Sequence, residues 1–270
     1  MKNVGVREEL ERVRKEIERL NFDATEPEFM DRLDFVQVGD GFHVFYFGSE
    51  ARGILSDTLT KPSICEALLS ISLSGPDRGV NGTNGWDITG LANSPSQFPR
   101  LRVFKIAQQN PGDHHGVAVG GWYEERDLIA RFLAKAPAIA YVTLPSAPDP
   151  SFFDLPLRNL EYLAIDVGYE AQGFISNLAL MNPIPTLRFF AWGEFCQTYM
   201  ENWRELTTSF EDMLALFRAA VFDSVRVCVM KNSVYSTNEI ATLHGVRPNI
   251  QLKLVRAASE YSRSRNVPMD

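Results

Sequence analysis

Phe98-Pro99-Arg100-Leu101-Arg102-Val103-Phe104-Lys105-Ile106 carries apolar residues at Leu101, Phe104 and Ile106, which are positions 1, 4 and 6 of a short template that follows a proline. The template comes back. Pro137 precedes Ile139, Val142 and Leu144, and Pro185 precedes Leu187, Phe190 and Trp192. Leu68, Ile71 and Leu73 fit without the proline, as do Leu160, Leu163, Ile165 and Val225, Cys228, Met230. Pro248-Asn249-Ile250-Gln251-Leu252-Lys253-Leu254 reads as a last copy with one residue missing. Side chains on a strand alternate between faces, so positions 4 and 6 share one face and positions 3, 5 and 7 the other.

The segments between copies have helical character. Tyr123 to Ala136 holds Leu128, Ile129, Phe132 and Leu133, with Glu124, Glu125 and Asp127 near its start, where acidic groups suit the helix dipole. Phe174 to Met181 has a short apolar face. Ser209 is placed to cap a helix running to Ala220, and Ser236 or Thr237 to cap one from Glu239 to His244. Strand and helix therefore alternate along the chain.

Upstream, Val6, Leu10, Val13, Ile17 and Leu20 recur at helical spacing among charges of both signs, which predicts an amphipathic helix. Its stripe either packs on the body of the protein or mediates weak self-association through residues 6–20. Phe35–Val38 and Phe42–Phe47 flank Gly39-Asp40-Gly41, the pattern of a β-hairpin. Residues 49–62 read as a connector. The expected organisation is a helix and hairpin cap over 1–60, repeats over 61–258 and a polar tail over 259–270.

Bulk properties bound the function. The chain has 270 residues and a formal charge of −7, so a general nucleic-acid binder is not expected, while a basic partner is compatible. Cys65, Cys196 and Cys228 are odd in number and far apart, which disfavours a disulfide framework or a zinc site. No apolar run is long enough to span a membrane, and the N-terminus is charged at once, so no membrane association and a cytoplasmic location are expected.

Known catalytic and cofactor signatures are missing: there is no G-x-S-x-G, P-loop or dinucleotide fingerprint. His114-His115 would point to opposite faces of a strand and so would not share a metal ion. The expectation is a non-catalytic protein with no cofactor and no metal.

The copies resemble leucine-rich repeats, whose core is L-x-x-L-x-L-x-x-N, and more narrowly the irregular bacterial members whose strands begin P-x-L-x-x-L-x-I. The resemblance spans about residues 61–258. First positions at 68, 101, 139, 160, 187, 225 and 250 give intervals of 33, 38, 21, 27, 38 and 25. Three lie in the usual range of about 20–29, and three require insertions. The family's position-9 Asn is replaced by Pro76, Gln109, Ala147, Gly168, Phe195 and Ser233, which puts regular curvature in doubt. The resemblance implies an α/β fold: an irregular leucine-rich-repeat solenoid with a parallel concave sheet, capped by the N-terminal helix and hairpin. It implies a protein that binds other proteins, with immunity proteins that neutralise a cognate bacterial toxin by stoichiometric binding among the roles of such proteins.

On that register the concave face receives Tyr141, Tyr162 and Phe189 at position 3 of successive copies, about 4.8 Å apart per strand. Lys105, Asp166 and Lys231 share the face, and Glu194 follows one residue beyond it. These seven residues are the candidate contacts for a partner protein, since rigid aromatics supply contact area at low entropic cost. Alternatively the rings pack on each other as cross-strand pairs. The insertions at 76–97, 108–122 and 195–208 are a second candidate surface. A self-associating structural protein built on the N-terminal helix is the alternative function.

Overall fold

Each proline of the template turns the chain into a strand. Phe98-Pro99-Arg100-Leu101 is closed by Leu101 N–H donating to Phe98 O (3.2 Å). The same link joins Ile139 to Ala136 (3.0 Å), Leu187 to Ile184 (3.1 Å) and Ile250 to Arg247 (3.0 Å). Proline thus occupies the second position of a β-turn, where its fixed φ is already correct. Leu160 bonds Leu157 (3.2 Å) and Val225 bonds Phe222 (3.1 Å) in the same way without proline.

The computed structural model describes residues 4–21, 26, 29–76, 83–108, 116–120, 125–168, 171–194 and 206–256. In chain order the strands are β1 Arg32–Val38, β2 Gly41–Phe47, β3 Leu68–Ser74, β4 Thr83–Trp86, β5 Val103–Ile106 and β6 Gly116–Val119. They continue with β7 Tyr141–Leu144, β8 Tyr162–Asp166, β9 Phe189–Gly193, β10 Val227–Lys231 and β11 Gln251–Val255. The helices are α1 Val4–Leu20, α2 Arg52–Leu59, α3 Pro62–Cys65, α4 Thr89–Asn93, α5 Leu128–Leu133, α6 Phe174–Leu180, α7 Phe210–Arg218 and α8 Thr237–Val246. Short 3-10 turns occupy Pro150–Asp154 and Ala220–Phe222.

The fold is mixed α/β with a large, mostly parallel sheet of nine strands in the order β1-β2-β3-β5-β7-β8-β9-β10-β11. Only the β1–β2 pair is antiparallel. The strands lie side by side in sequence order, save that β4 and β6 leave the sheet and pair with each other. Position 4 of every copy falls in one row: Ile71, Phe104, Val142, Leu163, Phe190 and Cys228. The row ends at Leu252, which places the missing residue of the last copy between Ile250 and Leu252. All residues at positions 1, 4 and 6 of the six full copies are buried, at 4 % exposure or less.

Helices cover that face. α2, α4 and α5 lie in file, followed by the 3-10 turn at Pro150, then α6, α7 and α8. Their apolar residues join the inward strand residues in one core that runs from Val6 to Ile250. Ser209 caps α7 by accepting from Asp212 N–H (3.1 Å). Ser236 and Glu239 form a capping box at α8.

α1 and the hairpin form where the pattern predicts them. Val6, Leu10, Val13 and Ile17 are buried as α1 packs on β1 and α2, so four of the five apolar residues of the stripe over residues 6–20 are used within the chain, while Leu20 is exposed. The hairpin lies within the main sheet, β2 running parallel to β3.

Three expectations need correction. The connector at 49–62 holds α2 and the start of α3; its Leu55, Thr58 and Leu59 face the core. Within the insertions 76–97 and 108–122 the described residues form β4, α4 and β6 rather than loop alone. The helix expected over Tyr123 to Ala136 is α5, and it begins only at Leu128 because Arg126 and Asp127 take left-handed backbone (φ 44° and 61°). Glu125 closes that turn from outside the helix. Its carboxylate accepts from Asp127 N–H (3.1 Å), Ile129 N–H (2.6 Å) and Asp149 N–H (2.8 Å). Cys196, His114-His115, most of the 195–208 insertion and the tail from 259 lie outside the described residues.

Candidate functional site

Residues at positions 3, 5 and 7 point away from the helices and form the outer face of the sheet. Along position 3, Val103, Tyr141, Tyr162, Phe189 and Val227 stand in register on β5, β7, β8, β9 and β10. The rings stack. Tyr141 and Tyr162 have centroids 6.0 Å apart at 28°, and Tyr162 and Phe189 lie 4.2 Å apart at 7°. Such pairs contribute about 0.5–1.5 kcal/mol beyond their buried area. Stacking accounts for the half-buried Tyr162 and Phe189. Tyr141 ends the stack and is 38 % exposed.

The tip of Tyr141 is held from the rim. Its hydroxyl donates to Glu161 Oε2 (2.8 Å), and Arg102 donates to Glu161 Oε1 (3.1 Å). The neighbouring carboxylate raises the Tyr141 phenol, and burial raises that of Tyr162, so both remain neutral donors at physiological pH. Beside the rings, position 5 is small on three consecutive strands: Thr143, Ala164 and Ala191. The two alanines are buried, at 2 % and 3 % exposure.

Beyond the alanines, at position 7, lies a charge pair. Lys231 Nζ donates to Asp166 Oδ1 (2.9 Å), passing over the intervening strand β9, and to Oε1 (2.5 Å) of Gln108, whose backbone follows β5. Gly193 makes that possible: a Cβ there would lie 2.2 Å from Asp166 Oδ1. Burial raises the Asp166 carboxyl, and the Lys231 ammonium opposes the rise. At roughly 3.3 Å per residue, the ring row and the charge pair are about 13 Å apart along the strands.

The candidate residues therefore divide. Tyr141, Tyr162 and Phe189 come together, and Lys105 is exposed on β5 beside Thr143. Asp166 and Lys231 are bound to each other rather than poised singly for a partner. Glu194 is a correction. It is 7 % exposed because β9 ends at Gly193 and the next side chain turns inward. There it accepts from Trp192 Nε1–H (2.7 Å) and Thr208 N–H (3.1 Å), and burial raises its carboxyl. Glu194 thus fixes the indole of Trp192 and is unavailable to a partner.

The reading of positions 3, 5 and 7 missed the rim. Position 2 holds Arg102, Glu161, Arg188 and Arg226, just ahead of β5, β8, β9 and β10. Arginine in three of six copies was a visible signal. A separate cleft of about 800 Å³ lies on the helix side, between Pro150–Asp154 and α6. Leu180 beside it is 84 % exposed, and no titratable cluster converges on it.

No group of three or more His, Cys, Asp or Glu is placed to hold a metal ion among the described residues, and no helix there is long and apolar enough to cross a membrane. No protein-family model, curated protein or solved structure matches this chain.

Proposed function

We propose that this chain is a non-catalytic protein-binding scaffold, an irregular leucine-rich-repeat solenoid whose concave wall is the outer face of the sheet. The observation that carries the reading is the aromatic row. Three stacked rings stand in register on the outer face, and the end one, Tyr141, is 38 % exposed. Rigid rings supply contact area with little entropy to lose on binding. Burial of Val6, Leu10, Val13 and Ile17 favours this reading over self-association through α1, of whose stripe only Leu20 is exposed.

The particular role we propose is the one implied by the repeat resemblance: an immunity protein that occludes a cognate toxin by stoichiometric binding. Co-expression with candidate toxins, followed by pull-down and a viability assay, tests it. The native chain is expected to retain one toxin at 1:1 and protect the cell. Changing Tyr141, Tyr162 and Phe189 together to Ala is expected to weaken retention by at least a hundredfold, since central aromatic anchors carry about 2 kcal/mol or more each. Full retention by the triple variant, with its melting curve still cooperative, contradicts the reading.

A further inference from the structure

The whole chain carries −7, yet the outer face from β5 to β11 has the opposite sign. Its rim and rows hold Arg102, Lys105, Arg188, Arg226, Lys231 and Lys253 against Glu161 and Asp166, six positive charges against two negative, or +4. With −7 overall and +4 here, the rest of the molecule carries −11. Charges more than about 8–10 Å away are largely screened, so a docked segment meets the local sign and not the average.

Two of these cations are already oriented. Arg188 donates to Ser224 O (3.1 Å), and Arg226 leans on the carbonyls of Asp223 (3.5 Å) and Val225 (3.4 Å). Those bonds hold both guanidiniums along the rim beside Phe189 and Val227 without neutralising them. Among the described residues, no carboxylate is within ion-pair distance of Lys105, Arg188, Arg226 or Lys253. Glu161 is occupied by Tyr141 and Arg102, and Asp166 by Lys231.

We propose that this face receives an acidic segment of a partner protein, with carboxylates on the arginine rim and aromatic or apolar side chains against the exposed end of the ring row at Tyr141. The inference rests on the protein-binding reading and narrows it. Guanidinium pairs with carboxylate in a directional, two-pronged manner, and stacked rings accept further planar groups at their edges. A polyanion such as single-stranded nucleic acid shares part of this chemistry. Its affinity grows with the number of phosphates it can neutralise, and a face of +4 on a chain of −7 offers few, which disfavours it.

The test pans a phage-displayed library of random 12-residue peptides on three immobilised full-length proteins. These are the native chain, the Tyr141→Ala/Tyr162→Ala/Phe189→Ala variant and an Arg102→Gln/Arg188→Gln/Arg226→Gln variant whose changes are all at exposed positions. Circular dichroism melting confirms that each is folded. Clones recovered on the native chain are expected to be net negative and to contain aromatic residues. Synthetic copies should bind at least tenfold more weakly to each variant and lose affinity between 50 and 300 mM salt.

Clones that are neutral or basic, yet lost on the ring variant, overturn the acidic assignment while leaving the protein-binding face intact. Equal recovery on native and ring variant, or no clones at all, overturns both readings. Fluorescein-labelled dT12 and rU12 form a separate arm. Binding that is lost in both variants assigns the face to nucleic acid and overturns the proposal.

Discussion

Phe190→Ala is expected to cost about 3–5 kcal/mol in urea unfolding, a large part of the stability of a typical domain. Phe190 is fully buried, lies between Leu163 and Cys228 in the position-4 row, and meets Phe222 edge-to-face at 5.3 Å. Phe189→Ala, one residue earlier, should cost only about 1–2 kcal/mol, because its ring stacks on the opposite, half-open face. The contrast reads the register directly. A one-residue slip moves every side chain to the other face, so equal losses, or the reverse order, would contradict the strand alignment.

Lys231→Met should produce the second large effect, and one that depends on pH. The substitution leaves the Asp166 carboxylate mostly buried without its cation; the two side chains are only 19 % and 22 % exposed. Breaking a buried pair costs about 3–5 kcal/mol, and residual solvent contact brings the expected loss at pH 7 to about 2–4 kcal/mol. Burial already raises the Asp166 carboxyl above its ordinary value, and removing the ammonium that opposes the rise lifts it further. The folded state then takes up a proton at higher pH than the unfolded chain does. Between those two values stability increases as pH falls. The deficit of the variant should therefore shrink from pH 7 towards pH 5, measured against the native chain at each pH. Adding Asp166→Asn should restore most of the loss and flatten the profile. A deficit that is the same at pH 7 and pH 5 would contradict the buried-pair account.

Much of the sheet was legible because its determinants are local. A residue at position 1, 4 or 6 must be apolar to enter the core, and a proline before it fixes the turn. The apolar constraint repeats in every full copy and the proline in the copies that begin at Leu101, Ile139 and Leu187, and together they place Leu101, Phe104 and Ile106 correctly. They also bring Tyr141, Tyr162 and Phe189 into one row, because parallel strands in register align equal positions. The N-caps at Ser209 and Ser236 were legible for the same reason: a hydroxyl before an acidic first turn has a local partner.

What escaped the sequence depends on contacts distant along the chain. Glu194 reads as an acidic residue just past an exposed strand end. Its inward turn is set by Trp192 and by Thr208, fourteen residues later. Asp166 and Lys231 read as two separate charges, since nothing local says that Gly193 will let one reach the other across a strand. Helix α2 was hidden because Gly53 lies inside it and the segment is short. The rim arginines were visible but sit one residue ahead of the alternating positions, where faces are not assigned by period alone. Net charge does not report local sign: −7 describes the whole molecule, while the rim and rows beside the ladder hold six cations against two carboxylates.

The most direct test of the central claim is site-specific photocrosslinking from each side of the sheet. Benzoylphenylalanine is introduced at Thr143 on the outer face of the sheet and, separately, at Leu180 on the helix side, and the producing cells are irradiated. The account predicts a discrete protein adduct from position 143, lost when Tyr141, Tyr162 and Phe189 are changed to Ala, and none from position 180. An adduct from position 180 alone, or one from position 143 that persists in the triple variant, would contradict it.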